Sequence, residues 1–307
     1  MTGATRRRVL LTGASGYVGR AAARALVAMG HEVHALGRTD PAIAGVTFHS
    51  ADLLGAEPLA PAIAAAGADH LLHLAWSVTP GRFWTDLGNC DWVGASLRLF
   101  RAFAESGSRR IVGVGSCAEY AWTGSPLDEV SSPVRPATLY GTAKASLWQM
   151  LEALGRQEGL SVAWGRLFFL YGPGEPRGKL VADAIVTLLE GRRFETSPGL
   201  QRRDFLHVDD AGRALAGLLA SPVTGPVNIA SGHCGPVREV IAEVARVTGG
   251  AGLVDFGARA MAPGEPAEIA AVVTRLRDEV GFMPEHGLAS GIEQAVAWWR
   301  AHSGGVE

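Results

Sequence analysis

Apolar residues occur in short runs separated by longer stretches where they recur at helical spacing. Val9-Leu10-Leu11, His31-Glu32-Val33-His34-Ala35-Leu36, Val46-Thr47-Phe48-His49, His70-Leu71-Leu72-His73-Leu74, Arg110-Ile111-Val112-Gly113-Val114 and Ser161-Val162-Ala163-Trp164 read as buried strands. Helical stretches at 17–29, 92–106 and 140–154 lie between them. Strands alternating with helices predict an α/β chain with a doubly wound parallel sheet covered on both faces. Farther on, Phe205-Leu206-His207-Val208 and Val227-Asn228-Ile229-Ala230 read as strands, and 180–189, 209–219 and 237–247 as helices, with Asp209-Asp210 as a cap. A last helix from Leu288 carries the apolar stripe Ile292, Ala295, Val296 and Trp299. Pro173-Gly174 and Pro198-Gly199 bracket a segment that leaves the sheet, predicting a smaller, mostly C-terminal lobe.

Composition narrows the class. The 307 residues are 48% apolar, enough for a large core. A net charge of -2, from 28 basic and 30 acidic residues, offers no general field for nucleic acid or an anionic membrane. Cys90, Cys117 and Cys234 are too few and too scattered for a disulfide framework or a zinc site. Arg6-Arg7-Arg8 precedes only three apolar residues, so neither an export signal nor a membrane span is read there. The expectation is a cytoplasmic protein without a metal.

The first strand runs into Thr12-Gly13-Ala14-Ser15-Gly16-Tyr17-Val18-Gly19, and a helix follows. Glycines there permit a tight turn and close backbone approach, and the helix start offers free amides to a pyrophosphate. Gly13, Ser15, Gly16, Tyr17, Val18 and Gly19 are therefore candidate cofactor contacts. Residues 1–165 form the expected dinucleotide-binding domain, a modified Rossmann unit completed by about 204–230, with 166–203 and 231–307 as the substrate lobe. The second strand ends in Gly37-Arg38 without an acid, which suits a 2′-phosphate and points to NADP, with NAD as the alternative. Asp52 and Leu53, after the third strand, stand where the adenine would lie, and Leu74-Ala75 close the fourth strand.

Tyr140 and Lys144 lie four residues apart on one helix and so share a face. A phenol titrates near ~10, and a nearby ammonium is expected to bring it toward neutral pH. Ser116, at the end of the fifth strand, offers a hydroxyl to the same substrate oxygen. Trp76, Phe83 and Trp84 sit on a loop that should open on the ligand crevice, whereas His73 reads as a packed core residue.

Together these motifs, with Tyr171-Gly172-Pro173-Gly174 and Arg203-Asp204-Phe205-Leu206-His207-Val208-Asp209-Asp210, resemble the extended short-chain dehydrogenase/reductase family in its nucleotide-sugar epimerase/dehydratase branch. The resemblance implies Tyr140 as general acid/base, Lys144 on the nicotinamide ribose, and Ser116 on the reacting oxygen. It also implies Arg203 facing substrate phosphates and Phe169 at a position that binds the substrate pyrophosphate, with Cys117 a small loop residue near the site; Trp76, on its loop, is a candidate for the substrate pocket wall. There are departures. Ser116-Cys117-Ala118 stands where dehydratases carry Thr-Asp-Glu, and Phe169 stands where epimerases carry an asparagine. Val93 replaces a second one.

The function these readings favour is an NADP-dependent reductase of a keto-sugar, such as a nucleotide-linked 4-keto-6-deoxyhexose. An NAD-dependent nucleotide-sugar 4-epimerase is the alternative, and a non-catalytic NADP-sensing regulator ranks third. The expected partner is a small molecule, with a homodimer if helices 92–106 and 140–154 keep apolar faces free of the sheet.

Overall fold

A computed structural model describes residues 6–302 of the chain; 1–5 and 303–307, the outer ends of the expected domains, lie outside the described residues. The first half comprises β1 (Arg8–Thr12), α1 (Tyr17–Ala28), β2 (Glu32–Gly37), β3 (Val46–Ser50), α2 (Ala60–Ala66), β4 (His70–His73), α3 (Gly88–Glu105), β5 (Arg110–Ser116) and α4 (Leu139–Glu158). Then come β6 (Ser161–Leu167), β7 (Phe169–Tyr171), α5 (Leu180–Leu189), β8 (Phe194–Thr196), β9 (Arg202–His207), α6 (Val208–Ala220) and β10 (Gly225–Ile229). The chain closes with β11 (Cys234–Pro236), α7 (Val237–Thr248), β12 (Val254–Phe256), β13 (Glu268–Ile269) and α8 (Leu288–His302).

Seven strands pair in the order β10-β6-β5-β4-β1-β2-β3, all parallel. Alternate residues of each strand feed opposite cores. Val9 and Leu11 join Ala22 and Leu26 of α1 and Leu215 of α6, while Leu10 joins Phe103 of α3 and Leu151 of α4. Burial on both faces is why these strands are apolar throughout rather than alternating. On one face α1 and α6 cross closely, because a Cβ on Gly212 would stand 2.5 Å from the Ala21 carbonyl carbon. Strand order reverses at β1, between β2 and β4, and the loops after β1 and β4 diverge there into a crevice.

A second, small sheet orders β11-β9-β13 with β7 also on β9, and β12 pairs with β8. The lobe core joins Tyr171, Ile185, Val244, Ile292 and Val296, so the C-terminal stripe is buried as expected.

One reading changes. Asp209-Asp210 do not cap α6; the side chain of His207 holds that position and accepts from the Asp209 N–H at 3.3 Å. Asp210 is fully buried and accepts from the Glu285 and His286 amides, anchoring the approach to α8. The apolar faces of α3 and α4 are spent on their own sheet, burying Leu99, Phe100, Phe103, Leu147 and Leu151. No helix among the described residues is long and apolar enough to cross a membrane.

Candidate active site

The crevice is one cavity of about 780 Å³, and every candidate contact read from the sequence lines it. At one end lies the glycine turn. Gly13 has φ +74°, and a Cβ on it would meet the Ala75 nitrogen at 2.7 Å, so the turn presses against the end of β4. A Cβ on Gly19 would stand 1.9 Å from the Gly13 carbonyl oxygen. No side chain caps α1, and its first amides are left to a ligand. The Tyr17 hydroxyl is buried without a hydrogen-bond partner, on the side of Glu175, Asp209 and Tyr171. This cradle fits a dinucleotide: close backbone and an open helix start. Arg38 and Asp52 are exposed at its rim, Asp52 accepting from the Leu54 N–H at 3.1 Å.

Below the cradle, His73 is a structural bridge. Its Nδ1 lies 2.7 Å from Thr12 Oγ1 and its Nε2 2.8 Å from Ser96 Oγ. Ser96 spends its proton on the Trp92 carbonyl, so Nε2 carries the imidazole proton and Thr12 donates to Nδ1. Burial holds His73 down to about 3, in the neutral form this bridge requires.

At the other end α4 brings Tyr140 and Lys144 against the tip of β5. Thr138 caps the helix, accepting from the Gly141 N–H at 3.1 Å. Gly141 lets the helix close in, since a Cβ there would meet the Ala118 carbonyl oxygen at 2.3 Å. Tyr140 is packed edge-on by Phe83 at 4.9 Å and Trp84 at 5.9 Å. Lys144 donates from Nζ to the Val114 carbonyl at 2.8 Å and lies 3.7 Å from the centre of the Trp76 ring.

The expected electrostatics of this pair is corrected. Burial pushes the Tyr140 phenol well above its usual range, opposed by its hydrogen bond with Ser116, and the charges of Glu119 and Cys117 add to the rise. Burial pulls Lys144 down to about 7. Both charged forms lose hydration in the same enclosed site, and this outweighs any help from an ammonium to a phenolate.

A stability prediction follows from Lys144. Its ordinary value is 10.5 and its folded value about 7, so between them the unfolded chain binds more protons and stability rises with pH. Lys144→Met should flatten that rise, measured as the shift of the urea midpoint between pH 7 and pH 10. An unchanged shift would mean that the ammonium stays hydrated in the folded protein.

The cavity wall between the two ends is aromatic. Trp76 donates from Nε1 to Asn89 Oδ1 at 2.9 Å, and Asn89 in turn donates to the Phe83 and Asp86 carbonyls, fixing the loop that carries the rings. Phe169 lies 5.5 Å beneath the guanidinium of Arg203. Arg203 is buried, donating to the Arg202 and Pro266 carbonyls and to Glu265 at 3.0 Å. Cys117 is buried, its thiol pushed up to about 12 by desolvation, and is no nucleophile at neutral pH.

Sequence reasoning missed the charged and amide lining residues Glu175, Lys179, Gln201 and Glu265. They lie outside any motif, and no signal in the chain marks them. It also missed Glu119, fully buried behind Ser116, although Ser116-x-x-Glu119 has the spacing of a capping box. Among the described residues no cluster could hold a metal.

A sequence profile of the NAD dependent epimerase/dehydratase family matches residues 9–230. The chain is 28% identical to a UDP-glucose 4-epimerase of Azospirillum brasilense, covering 96% of this chain and 92% of that one. Among solved structures, MoeE5 in complex with UDP-glucuronic acid and NAD superimposes with a TM-score of 0.82 at 28% identity, covering 96% of this chain and 99% of the other. The Thermus thermophilus UDP-glucose 4-epimerase in complex with NAD does so with a TM-score of 0.83 at 25% identity, covering 97% and 100%. The chain belongs to the NAD dependent epimerase/dehydratase family, enzymes of the extended short-chain dehydrogenase/reductase type.

Proposed function

We propose that the protein is a nucleotide-sugar 4-epimerase that retains NAD, rather than the NADP-dependent keto-sugar reductase favoured by the sequence. The observation that carries this reading is the single set Ser116, Tyr140 and Lys144 facing the same cavity as the glycine cradle, with Cys117 and Ala118 supplying no acid after Ser116. Such a set can exchange one proton at one oxygen, which suits oxidation and reduction of a single carbon and not the expulsion of water. The epimerases of similar length and the NAD seen in the two solved structures favour epimerisation and NAD over net reduction with NADPH.

In this reading the seven-stranded unit holds the cofactor, and the lobe holds the sugar and its nucleotide. NAD, when bound, supplies the hydride acceptor and donor. Tyr140, as the phenolate that a charged Lys144 and the positive charge of NAD when bound would favour, takes the proton from the sugar hydroxyl as it becomes a carbonyl and returns it on reduction. Ser116 donates a hydrogen bond to that oxygen, and Lys144 holds the ribose beside it. Trp76 and Phe169 pack against the sugar, with Cys117 beside it. Arg203 meets the diphosphate by exchanging its bond with Glu265 for one to phosphate.

Cofactor behaviour tests the reading. Purified protein, with nothing added, should interconvert UDP-glucose and UDP-galactose and release NAD on denaturation. A protein that leaves both sugars untouched and turns over a 4-keto sugar only with stoichiometric NADPH is a reductase, and the reading fails.

A further inference from the structure

Behind the β5 tip lies a buried ion pair that the proposed chemistry does not use. Glu119 is 0% exposed and Arg166, on β6, is 2% exposed, with Arg166 Nε donating to Glu119 Oε2 at 2.7 Å. The other carboxylate oxygen accepts from the Ser116 N–H at 2.9 Å and from Trp164 Nε1 at 2.9 Å. Arg166 also donates to the Tyr120 hydroxyl at 2.8 Å. Space is made for this carboxylate at the cost of a side chain: a Cβ on Gly115 would lie 2.0 Å from Glu119 Oε1. Both lone-pair sets of the carboxylate are therefore engaged, one on a neighbouring strand and one on the residue expected to hold the reacting oxygen.

We infer that Glu119 is a positioning residue: clamped by Arg166 and Trp164 on β6, it grips the Ser116 amide and fixes where the Ser116 hydroxyl stands relative to Tyr140. The inference rests on the proposed role of Ser116. A strand end followed by a three-residue turn has little to define its last side chain unless its backbone is tied. The Ser116 hydroxyl accepts from the Ala118 N–H, at 3.2 Å, and is hydrogen-bonded with Tyr140. Its proton lies beside Tyr140, at the same place as the substrate oxygen would stand in the proposed chemistry. Tying the backbone through an inaccessible carboxylate does what a bond to the hydroxyl would prevent: it orients Ser116 without spending its proton.

Removing Glu119 alone would strand a buried guanidinium, so the test replaces the pair together, a change that buried ion pairs commonly tolerate. Glu119→Gln/Arg166→Met keeps an oxygen to accept from the Ser116 N–H, and Glu119→Met/Arg166→Met removes it. Both lose the ion pair, so their difference isolates the acceptor. The methionine form should have a kcat about 10- to 100-fold below the glutamine form, as expected for a misplaced reactive group, with KM for UDP-galactose and NAD content alike in both. In a Ser116→Ala background that difference should vanish. Equal kcat in the two paired variants overturns the inference. If the paired variants do not fold, Glu119→Asp decides: it keeps a charge for Arg166 but withdraws the acceptor, and an unchanged kcat overturns the inference equally. A Ser116→Ala enzyme with full kcat would instead refute the proposed role of Ser116.

Discussion

Tyr140→Phe is expected to lower turnover of UDP-galactose by about 10²–10⁴-fold, the usual worth of a positioned general acid or base. The substitution removes one oxygen and keeps the ring. Tyr140 is 8% exposed and gripped by Phe83 and Trp84, contacts a phenylalanine retains, so fold and NAD content should survive. Loss should appear in kcat with little change in KM, because the hydroxyl acts on charge that develops as the proton moves. Burial of the side chain also leaves water poorly placed to replace it. Full turnover in Tyr140→Phe would remove the acid/base from this site and leave the fold as the main likeness to the enzymes.

Gly19→Ala should abolish retention of NAD. Its new methyl would sit 1.9 Å from the Gly13 carbonyl oxygen and 3.0 Å from Ala14 Cα, all backbone with no side chain to swing aside. Relief requires the turn to open by more than an ångström, and a displacement of that size costs about 10²-fold where geometry is decisive. Overpacking adds about 1–3 kcal/mol of lost stability. Gly252→Ala, where nothing lies within 4 Å, is the control that should keep both NAD and stability. NAD released on denaturation, measured against protein concentration, reads the outcome. Normal content in Gly19→Ala would mean that the turn does not cradle the pyrophosphate.

The chain by itself determined whatever depends on neighbours in sequence. β1, the glycine turn and α1 form one continuous segment whose shape is set by local backbone freedom, so cradle and fold were legible together. Tyr140 and Lys144 share a face because a helix repeats every 3.6 residues. Ser116-x-x-Glu119 was equally local, and the capping box could have been read. What only the tertiary structure decided are pairings across long separations and the charge states they impose. Arg203 meets Glu265 because β13 runs beside β9, and Arg166 meets Glu119 because β6 runs beside β5. Gly212 is small because α6 returns against α1. The neutral leaning of Tyr140 and Lys144 is likewise tertiary: their spacing brings them together, but how much water remains is set by how deeply the fold encloses them, with the 76–87 loop packed around the phenol. Spacing is a property of the helix, whereas desolvation is a property of everything packed around it.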